Sequence, residues 1–526
     1  MLFSLLAAVQ AQSLFNADGL FYQCNPSTIF APNTTEQVQA VIQQAIANGT
    51  TVKAYAAGHS RNNVMCTDGV TLLTTNLNQL ISVDKEKQTV TVGGGMKLLD
   101  FSNAILEYGF IMPGVPDYGG ITVAGAIGTG AHGSSLKHSS STHDYLVAAK
   151  IVTGTGDIVD IDETDLDFPA VRVNLGALGI LTEVTMKVLP VQKIKTQNIE
   201  IDFNNATLNL PEIIAQYDFA GCYYFPYNKR AVLTTSNFVD ASTPGNGHKT
   251  SWDMPPVPLA VQAWAIPKVL DTVNGLLSED EVCPLANLRA DQLKSGETSE
   301  AVGNFGPMYM GNLFHDIANV VNVELNIPIS KLADAYQDII KIVNDVKTCF
   351  PIYGIYTRFA TPGKTFMGPN AISEPIAHLE IHILNSFNIP YLGFAAIAEI
   401  RQLLNEKYNA EPHYGKNWGS DFTQLNTKLG NRADLFAKAV QRFDPNGLFT
   451  NKFLQNLQSN AARLDTKQCA FTQDCYCEVD SDCSAGYSCV QGHIFTPARV
   501  CRKSFGTFCE RGDECASNRC VLYHCI

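Results

Sequence analysis

Two glycine-rich segments, each carrying a histidine, decide the fold that this sequence predicts: residues 56–61 (AAGHSR) and residues 122–135 (TVAGAIGTGAHGSS). The first follows a run that predicts a strand at 52–56, so Gly58 falls where the backbone must turn. The second contains four glycines between Gly125 and Gly133. Backbone without Cβ can approach a ligand closely, and successive exposed N–H groups form an anion-binding concavity. The two segments therefore predict a phosphate-binding cradle.

The context of the second segment is more informative than its spacing. Gly125-x-x-Gly128-x-Gly130 differs from the Gly-x-Gly-x-x-Gly fingerprint of dinucleotide-binding folds. Between the two segments, however, come CTDGV, TVGGGM and GFIMP, beginning at residues 66, 91 and 109. Segments in this order resemble the FAD domain of the vanillyl-alcohol oxidase superfamily, in particular the aldonolactone and alditol oxidases that include L-gulonolactone oxidase.

The resemblance implies an FAD that is bound covalently through His59. The second segment would wrap the pyrophosphate, and Ile180 would lie near the adenine. Because no cysteine lies between Cys66 and Cys222, a second covalent link from that segment is excluded. Without this context, His59 would be a solvated loop histidine, and we assign His132 a structural role in its loop. The residues predicted to contact the cofactor are Ala57, Gly58, His59, Ser60, Arg61, Thr122, Gly125, Gly128, Thr129, His132, Gly133, Ser134 and Ile180.

A third segment, residues 411–418 (EPHYGKNW), carries the first catalytic candidates. It resembles the Pro-His-Trp-x-Lys segment of the same oxidases, with Tyr414 in place of Trp. By this resemblance Lys416 points into the site, where an ammonium stabilises negative charge on the reduced flavin or the substrate oxygen. The alternative for Lys416 is an ordinary surface loop lysine.

The family's strand with a Glu-x-Arg motif keeps its arginine in this sequence but has lost its glutamate. Here it reads Tyr356-Thr357-Arg358, with both outer side chains on one face of the strand. Arg358 is predicted to bind and polarise the substrate hydroxyl, and an acyclic polyol specificity that rests on the missing glutamate is not transferred. The proton acceptor stays open among His413, Tyr356, His378 and His382, and Glu324 is either a remote substitute or structural. We predict Lys416, Arg358, His413 and Tyr356 as catalytic residues and no metal site.

The length of 526 residues suggests about three units at ~150 residues per domain. We predict an α+β protein: a two-subdomain PCMH-type FAD-binding domain, an α+β substrate (cap) domain and a small disulfide-rich module. The predicted limits are residues 1–11 for a signal peptide, 12–190 for the FAD domain, 191–424 for the cap, 425–463 for a return to the FAD domain and 464–526 for the cysteine-rich module.

Periodicity predicts the elements that place these motifs. Apolar residues at 38, 41, 42 and 45 behind a polar cap predict an amphipathic helix. Alternation and turn residues predict the rest: strands at 52–56, 70–75, 89–92, 322–328, 352–360 and 376–384, a hairpin of 144–153 with 158–161, a turn followed by a strand within 175–188, and helices at 96–108, 330–346 and from 432 to about 443.

Composition excludes some classes of function. Hydrophobic residues make up 45% of the chain and charged residues 17%, so a large core is expected. The net charge of -13, without a Lys/Arg cluster, argues against nucleic acid binding. No segment after the start of the chain contains about 18 consecutive apolar residues, so no membrane span is expected.

Three features predict export to the cell exterior. Residues 1–11 (MLFSLLAAVQA) resemble a secretory signal peptide, although the stretch is short and no Lys or Arg precedes Lys53. Glycosylation sequons begin at Asn33, Asn48 and Asn205. The cysteine content is typical of an oxidising compartment. We therefore expect a secreted glycoprotein.

The fifteen cysteines are distributed unevenly, with ten between Cys469 and Cys525. Ten in so short a segment predict a disulfide framework of two related small units. Zinc is the rival explanation, but the segment lacks a Cys-x2-Cys pair and an exported chain oxidises its thiols. Of the five others, we predict a bridge between Cys24 and Cys66.

These observations together predict an FAD-dependent oxidase of a sugar lactone, alditol or related carbohydrate alcohol. Hydride passes to flavin N5, and oxygen is reduced to hydrogen peroxide. One alternative is a dehydrogenase with another electron acceptor. A second alternative is a catalytically weak secreted binding or defence protein on the same fold, and the partner of the cysteine-rich tail is open.

Overall fold

A computed structural model describes residues 14–15, 22–247, 290–291, 293, 300–310, 320–346, 350–351, 353–384, 393–459, 467–472, 474–509 and 512–526. The predicted signal peptide and the cysteines Cys283 and Cys349 lie outside these residues. Helices and sheets are mixed along the described chain, as an α+β fold requires. None of the described helices combines the length and the apolar composition needed to cross a membrane.

The helices are α1 (Thr35–Asn48), α2 (Leu98–Leu106), α3 (Val123–Thr129), α4 (Phe168–Val171), α5 (Phe203–Ile214), α6 (Leu332–Val346), α7 (Phe394–Lys407), α8 (Leu425–Leu429), α9 (Asn431–Phe443) and α10 (Lys452–Ser459). The strands are β1 (Leu14–Phe15), β2 (Gln23–Cys24), β3 (Thr28–Phe30), β4 (Val52–Tyr55), β5 (Val70–Leu73), β6 (Leu80–Asp84), β7 (Thr89–Gly93), β8 (Phe110–Ile111), β9 (Leu146–Val152), β10 (Ile158–Asp162), β11 (Ile180–Lys187), β12 (Leu189–Pro190), β13 (Lys193–Ile201), β14 (Phe219–Phe225), β15 (Arg230–Val239), β16 (Glu300–Asn304), β17 (Val320–Pro328), β18 (Ile355–Ala360), β19 (Ile376–Leu384), β20 (Glu411–Pro412), β21 (Tyr487–Gln491), β22 (Arg499–Lys503), β23 (Cys520–Val521) and β24 (His524–Cys525).

A small parallel sheet, in the order β3-β5-β4, delivers the first glycine segment. Helix α1 packs against it with its predicted apolar face buried. The Thr34 side chain accepts a hydrogen bond from the N–H of Gln37, and Gly49 ends the helix in the left-handed region at φ 62°. The residues after Tyr55 therefore leave the sheet at its carboxyl edge, where ligands bind in such folds.

The second sheet of the N-terminal half is antiparallel, in the order β10-β9-β11-β7-β6. It contains the predicted hairpin of β9 and β10 and the predicted strand β11. Strand β6 was not predicted, because its short sequence Leu-Ile-Ser-Val-Asp lies at an exposed sheet edge. Ile180 is the first residue of β11 and is buried.

An eight-stranded sheet, in the order β16-β13-β15-β14-β18-β19-β17-β20, forms the predicted cap. One face carries apolar side chains such as Val323, Leu325, Leu379 and Ile381, which pack under α6 and α7. Along β17 and β19 the alternate residues are buried yet polar, and they point to the other face. That face covers the flavin-domain segments and forms one wall of the site.

The tail is a disulfide framework, as predicted. All ten of its cysteines pair, in the combinations Cys469–Cys475, Cys477–Cys489, Cys483–Cys501, Cys509–Cys520 and Cys515–Cys525. Two clusters of buried cysteines correspond to the two predicted units. The pairing also rules out the zinc alternative for these ten thiols, because a disulfide sulfur is not a thiolate ligand. The domain limits proposed from the sequence stay predictions.

The predicted bridge between Cys24 and Cys66 is present, with a Cα–Cα distance of 5.0 Å. It ties the entry strand β2 to the residues after the first glycine segment, across 42 positions of sequence. Cys222 is a free, buried thiol in β14. The bridge therefore holds the region that carries His59 to the start of the described chain.

Removing this bridge tests its contribution to stability. The paired substitutions Cys24→Ser and Cys66→Ser should lower the free energy of unfolding of this region by about 4 kcal/mol, the chain-entropy value for a loop of that size. Urea unfolding followed by circular dichroism measures the change. As a control, Cys509→Ser with Cys520→Ser opens a short loop at the far end of the tail and should leave the main transition unchanged. An unchanged transition in the Cys24 and Cys66 variant contradicts the assignment.

Candidate active site

The first glycine segment lies in a cleft between the two halves of the molecule. Gly58 has a left-handed backbone at φ 72°, which meets the turn predicted after β4. Arg61 N–H donates to the carbonyl of Gly415 at 2.8 Å, and the Asn62 amide donates to the carbonyl oxygens of Tyr414 and Asn417 at 2.6 and 2.7 Å. The structure thus joins the first segment to the predicted catalytic segment 411–418, although some 350 residues separate them.

His59 lines this cleft and is half-buried. Its Nε2 lies 3.0 Å from the hydroxyl of Tyr118, and the two rings meet edge to face at 4.7 Å. Ala57, Gly58, Ser60 and Arg61 line the cleft beside it. The hydrogen bond fixes the orientation of the imidazole at the cleft wall.

The second glycine segment is partly helical, which corrects its prediction as a loop. Residues Val123–Thr129 form α3, with the Thr122 hydroxyl accepting the N–H of Gly125 as N-cap and Gly130 ending the helix at φ 77°. A threonine cap and a left-handed terminal glycine outweigh the low helix propensity of the internal glycines. Gly125 and Gly128 lie about one turn apart, and both line the cleft. The helix therefore presents backbone to it.

The far end of the cleft is built around Lys53. Its ammonium donates to the carbonyl oxygens of Leu175, Gly176 and Phe449 at 3.3, 3.1 and 3.2 Å. Burial lowers the pKa of Lys53 to about 7, against the opposing effect of Asp444. Ile180, which is predicted to lie near the adenine, is buried and lines this end. The Lys53 side chain thus joins β4 to the turn before β11 and to the predicted C-terminal return.

The opposite end of the cleft is a row of polar residues across the cap sheet. Tyr356 pairs with Glu380, and Glu380 pairs with Glu324, on neighbouring strands β18, β19 and β17. Two residues along, Arg358 pairs with His378. Cross-strand partners share a face, so these side chains are brought together. Tyr356 and Arg358 both line the cleft, which agrees with their predicted shared face.

Two buried carboxylates and two cations form the core of this row. Arg358 donates to Glu324 at 2.5 Å and to Glu380 at 2.8 Å, and Lys416 donates to the same two carboxylates at 2.8 and 2.7 Å. Burial alone would raise the pKa of each carboxyl, but Lys416 and Arg358 outweigh burial and hold both pKa values well below the ordinary value of 4.5. Lys416 therefore lies partly buried in the cleft wall and is not an exposed surface lysine.

Burial lowers the pKa of three histidines around this cluster, His413, His132 and His378. The Nδ1 of His413 accepts the N–H of Gly415 at 3.0 Å, so its proton is on Nε2, and burial lowers its pKa to about 3. His132 is more than a loop residue: its Nε2 lies 2.8 Å from Glu324, its ring stacks on His378 at 3.5 Å, and burial lowers its pKa. Gly133 and Ser134 continue this segment away from the cleft lining, and the Ser134 hydroxyl donates to the carbonyl of Ala220.

Sequence reasoning missed two carboxylates that line the cleft, Glu380 and Asp117. A signal for Glu380 existed: residues 376–384 (IAHLEIHIL) alternate between apolar and ionisable residues, a pattern typical of a strand with one functional face. Asp117 lies in an irregular segment after β8, where no periodicity points to it. Asn322, which donates to Glu380 at 2.5 Å, was also missed.

The Lys416 segment is held from behind by a polar network. The Asn417 side chain accepts the N–H groups of Glu324 and His413 and donates to Asp421 at 2.8 Å. Asp421 accepts from Arg401 and from the hydroxyl of Tyr476 in the cysteine-rich tail, at 2.9 and 2.8 Å. The tail thus packs directly behind the predicted catalytic segment.

The lining of the cleft fits FAD. The pyrophosphate of a dinucleotide needs backbone N–H groups that no side chain covers, and it needs nearby cationic groups. Gly125 and Gly128 supply the backbone, and the buried Arg61 supplies the charge. Although burial lowers the pKa of Arg61 to about 10, the guanidinium stays charged at neutral pH. The cleft runs from the Lys53 end to the Arg358 end, where ionisable side chains suit a redox reaction.

The fold and the cleft define an FAD-dependent oxidoreductase with a PCMH-type cofactor domain. Residues 26–162 match the FAD binding domain model, and residues 184–457 match the D-arabinono-1,4-lactone oxidase model. Since this second match covers more than half of the chain, the protein belongs to the D-arabinono-1,4-lactone oxidase family and acts on CH–OH groups. Residues 466–503 match the L-gulonolactone oxidase 2-like C-terminal domain, which includes the first unit of the tail.

Relatives of known name agree with this assignment. The chain is 28% identical to a protein named probable L-gulonolactone oxidase 1 from Arabidopsis thaliana, over 91% of this chain and 88% of the relative. It is 25% identical to an L-gulono-1,4-lactone dehydrogenase from Mycobacterium tuberculosis, over 82% and 96%. A cholesterol oxidase structure from B. sterolicum shares the fold, with a TM-score of 0.70, 16% identity and coverage of 86% and 97%.

Glu324 can be tested as the anion that balances the two cations. Glu324→Gln keeps the shape but leaves Arg358 and Lys416 with one carboxylate, so the free energy of unfolding should fall by about 3–5 kcal/mol. Because the folded-state pKa lies below the ordinary value, this stabilisation is present above about pH 4.5 and is lost as the pH falls.

Urea unfolding at pH 7 and at low pH measures both effects. The difference between wild type and Glu324→Gln should shrink on acidification. The exposed Glu212→Gln is the matched control and should behave as wild type. Equal stability of the Glu324 variant and wild type at pH 7 would show that the cluster does not need this charge.

Proposed function

We propose that the protein oxidises a carbinol carbon of an aldonolactone, or of a related sugar or alditol, and transfers the two electrons to molecular oxygen, which becomes hydrogen peroxide. The observation that carries this proposal is a single cleft that runs from His59 and the α3 backbone to Arg358, Lys416 and Glu380. Membership of the D-arabinono-1,4-lactone oxidase family supports the substrate class. An intact charged cluster disfavours the alternative of a catalytically weak binding protein.

The residues at the Arg358 end have distinct roles in this reaction. When bound, FAD supplies the acceptor for the hydride that leaves the substrate carbon. Arg358 and Lys416 are fixed cations that stabilise negative charge as the substrate hydroxyl loses its proton. Glu324 and Glu380 hold both cations in place, so little reorganisation is needed when charge develops.

The polar side chains of the cleft wall suit a hydroxyl-rich ligand. His413 presents an Nε2–H donor, while Asn322, His382 and Glu380 line the same wall. Tyr356 replaces the carboxylate on which acyclic polyol recognition rests in the family, so a cyclic lactone is the preferred substrate class. Several donors and acceptors facing one cavity provide the orientation that such a substrate needs.

We further propose that FAD is attached covalently to His59. The imidazole lies at the cleft wall with its Nε2 held by Tyr118, an arrangement that orients the ring for a bond to the cofactor. The supporting argument is the Gly58-His59-Ser60 motif at the end of β4, which matches the position used for this bond in the family. A covalent link also keeps the cofactor in place in an exported protein.

Export and oxygen use are linked proposals. The three sequon asparagines, Asn33, Asn48 and Asn205, are exposed, and the paired cysteines suit an oxidising compartment. In such a compartment oxygen is the available acceptor. A dehydrogenase using another acceptor is the second candidate, favoured by the name of the Mycobacterium tuberculosis relative. Rapid reoxidation of the reduced protein by air would support the oxidase, whereas slow reoxidation would support the dehydrogenase.

A substrate screen with a Lys416 variant tests the function. Lactones, polyols and sugars are offered to the purified protein, and peroxide release and anaerobic bleaching of the flavin are recorded. At least one aldonolactone should bleach the flavin, and Lys416→Ala should slow bleaching by about 10²–10³-fold, as for loss of one oxyanion-stabilising group. Lys87→Ala, an exposed lysine, should match wild type. Full activity in Lys416→Ala would contradict the assigned role.

The covalent link has its own test. Wild-type protein precipitated with acid should retain its yellow flavin in the pellet, whereas His59→Ala should release FAD into the supernatant because the bond to the imidazole is missing. His524→Ala, an exposed tail histidine, is the control and should retain the flavin. Release of FAD from the wild-type protein would refute the link.

A further inference from the structure

The charged residues and histidines of the cluster are already engaged with one another, which leaves them poorly placed to take the substrate proton. Glu380 is engaged by Arg358 and Lys416. The Nδ1 of His413 accepts from Gly415, so its Nε2 carries a proton, and the Nε2 of His382 faces Glu380 at 3.4 Å. His378 lies behind the cleft lining, with its Nδ1 2.5 Å from Asn326.

Asp117 remains as the second carboxylate on the cleft wall. It is half-buried and lines the cleft together with Tyr356, whose hydroxyl interacts with its carboxylate. Its charged and titratable neighbours are Arg358, Glu380, Tyr356 and Lys416, together with Tyr309. Burial raises the pKa of Asp117, with Arg358 opposing this effect. A carboxylate with this shift is a better proton acceptor than Glu380, whose pKa is held low.

The side chain of Tyr356 is held in place by its neighbours. Its ring stacks on Tyr223 with centroids 4.4 Å apart and planes 14° apart. The Arg358 guanidinium lies 5.4 Å from the ring centroid on the same strand. At Gly221 an added Cβ would come within 2.7 Å of Cε2 and 2.9 Å of the hydroxyl of Tyr356. Glycine at position 221 therefore leaves the space that the Tyr356 phenol occupies.

A small cavity lies behind this pair. Asp117 and Tyr356 form part of its wall, with the hydroxyl-bearing residues Thr196, Thr234 and Ser236. Its volume of about 10 Å³ is close to the space one water molecule needs, and it offers several polar partners. Asp117 thus lines the cleft and also the small polar cavity.

We propose that Tyr356 and Asp117 act as a dyad that accepts the substrate hydroxyl proton. The substrate O–H bond breaks and its proton passes to the Tyr356 oxygen, while the phenolic proton passes to the Asp117 carboxylate. The two electrons leave the adjacent carbon as the hydride of the proposed reaction, on which this inference rests. Asp117 ends neutral and holds this proton while the flavin is reduced. The dyad replaces the glutamate missing from Tyr356-Thr357-Arg358.

The test compares anaerobic flavin bleaching by an aldonolactone in Asp117→Asn, Tyr356→Phe and the double variant. Each single variant should be about 10²–10⁴-fold slower than wild type, the range for loss of general base catalysis. The double variant should be no slower than either single one, since residues that act as a unit are non-additive. In wild type the rate should fall on acidification as Asp117 becomes protonated, and Asp117→Asn should lose this dependence.

A second readout does not depend on the rate. Infrared difference spectra of wild type before and after anaerobic substrate addition should show a new protonated carboxyl band, which Asp117→Asn lacks. Asp160→Asn, an exposed aspartate in β10, is the matched control and should keep both the rate and the band. Absence of the band in wild type overturns the dyad even where a variant fails to fold.

The outcomes separate this inference from the proposed function. If no lactone bleaches the wild-type flavin, the proposed function fails and the dyad with it. If lactone bleaches wild type and Asp117→Asn at the same rate, the dyad alone is overturned. Multiplicative losses in the double variant would likewise overturn it, because they would show that the two residues act independently.

Discussion

The balance of four buried charges is the constraint on which the rest of the site depends. A charge removed from water is tolerated when it is paired and hydrogen-bonded, and Glu324, Glu380, Arg358 and Lys416 satisfy one another. Three of them come from adjacent strands of the cap sheet, while Lys416 comes from a loop. The loop must therefore close onto the sheet to neutralise the carboxylates, and this closure also completes the wall of the cleft.

The same constraint explains how distant parts of the chain are connected to the site. Asn417 binds the backbone of Glu324 and His413, and Asp421 links Asn417 to Tyr476 of the disulfide-rich tail. On the opposite side, the carbonyl of Gly415 accepts the N–H of Arg61. A cation on a loop is useful in catalysis when its position is fixed, and here both the tail and the first glycine segment contribute to fixing it.

Much of the fold was predictable because periodicity within one segment reports burial. Helix α1 and strands β17 and β19 follow from local patterns. The Cys24–Cys66 bridge was predicted instead because it would tie the N-terminal strand to the first glycine segment. Lys416 and Arg358 were predictable because their motifs are contiguous. Alternation along β19 marked a polar face that includes Glu380, but its place beside Tyr356 depends on the pairing of two strands, which neither sequence segment specifies alone. Asp117 was not predictable, because it lies in an irregular segment without periodicity. The prediction of a loop at α3 was wrong because it followed the glycine content and did not consider Thr122 as a helix cap.

The central claim is that FAD occupies the cleft with its redox ring toward the cap cluster. A crystal structure of the flavin-loaded protein tests it most directly. The account predicts density continuous with His59, the adenine beside Ile180 and the ring facing Arg358 and Lys416. A flavin bound elsewhere, or with its adenine toward Arg358, would contradict the account.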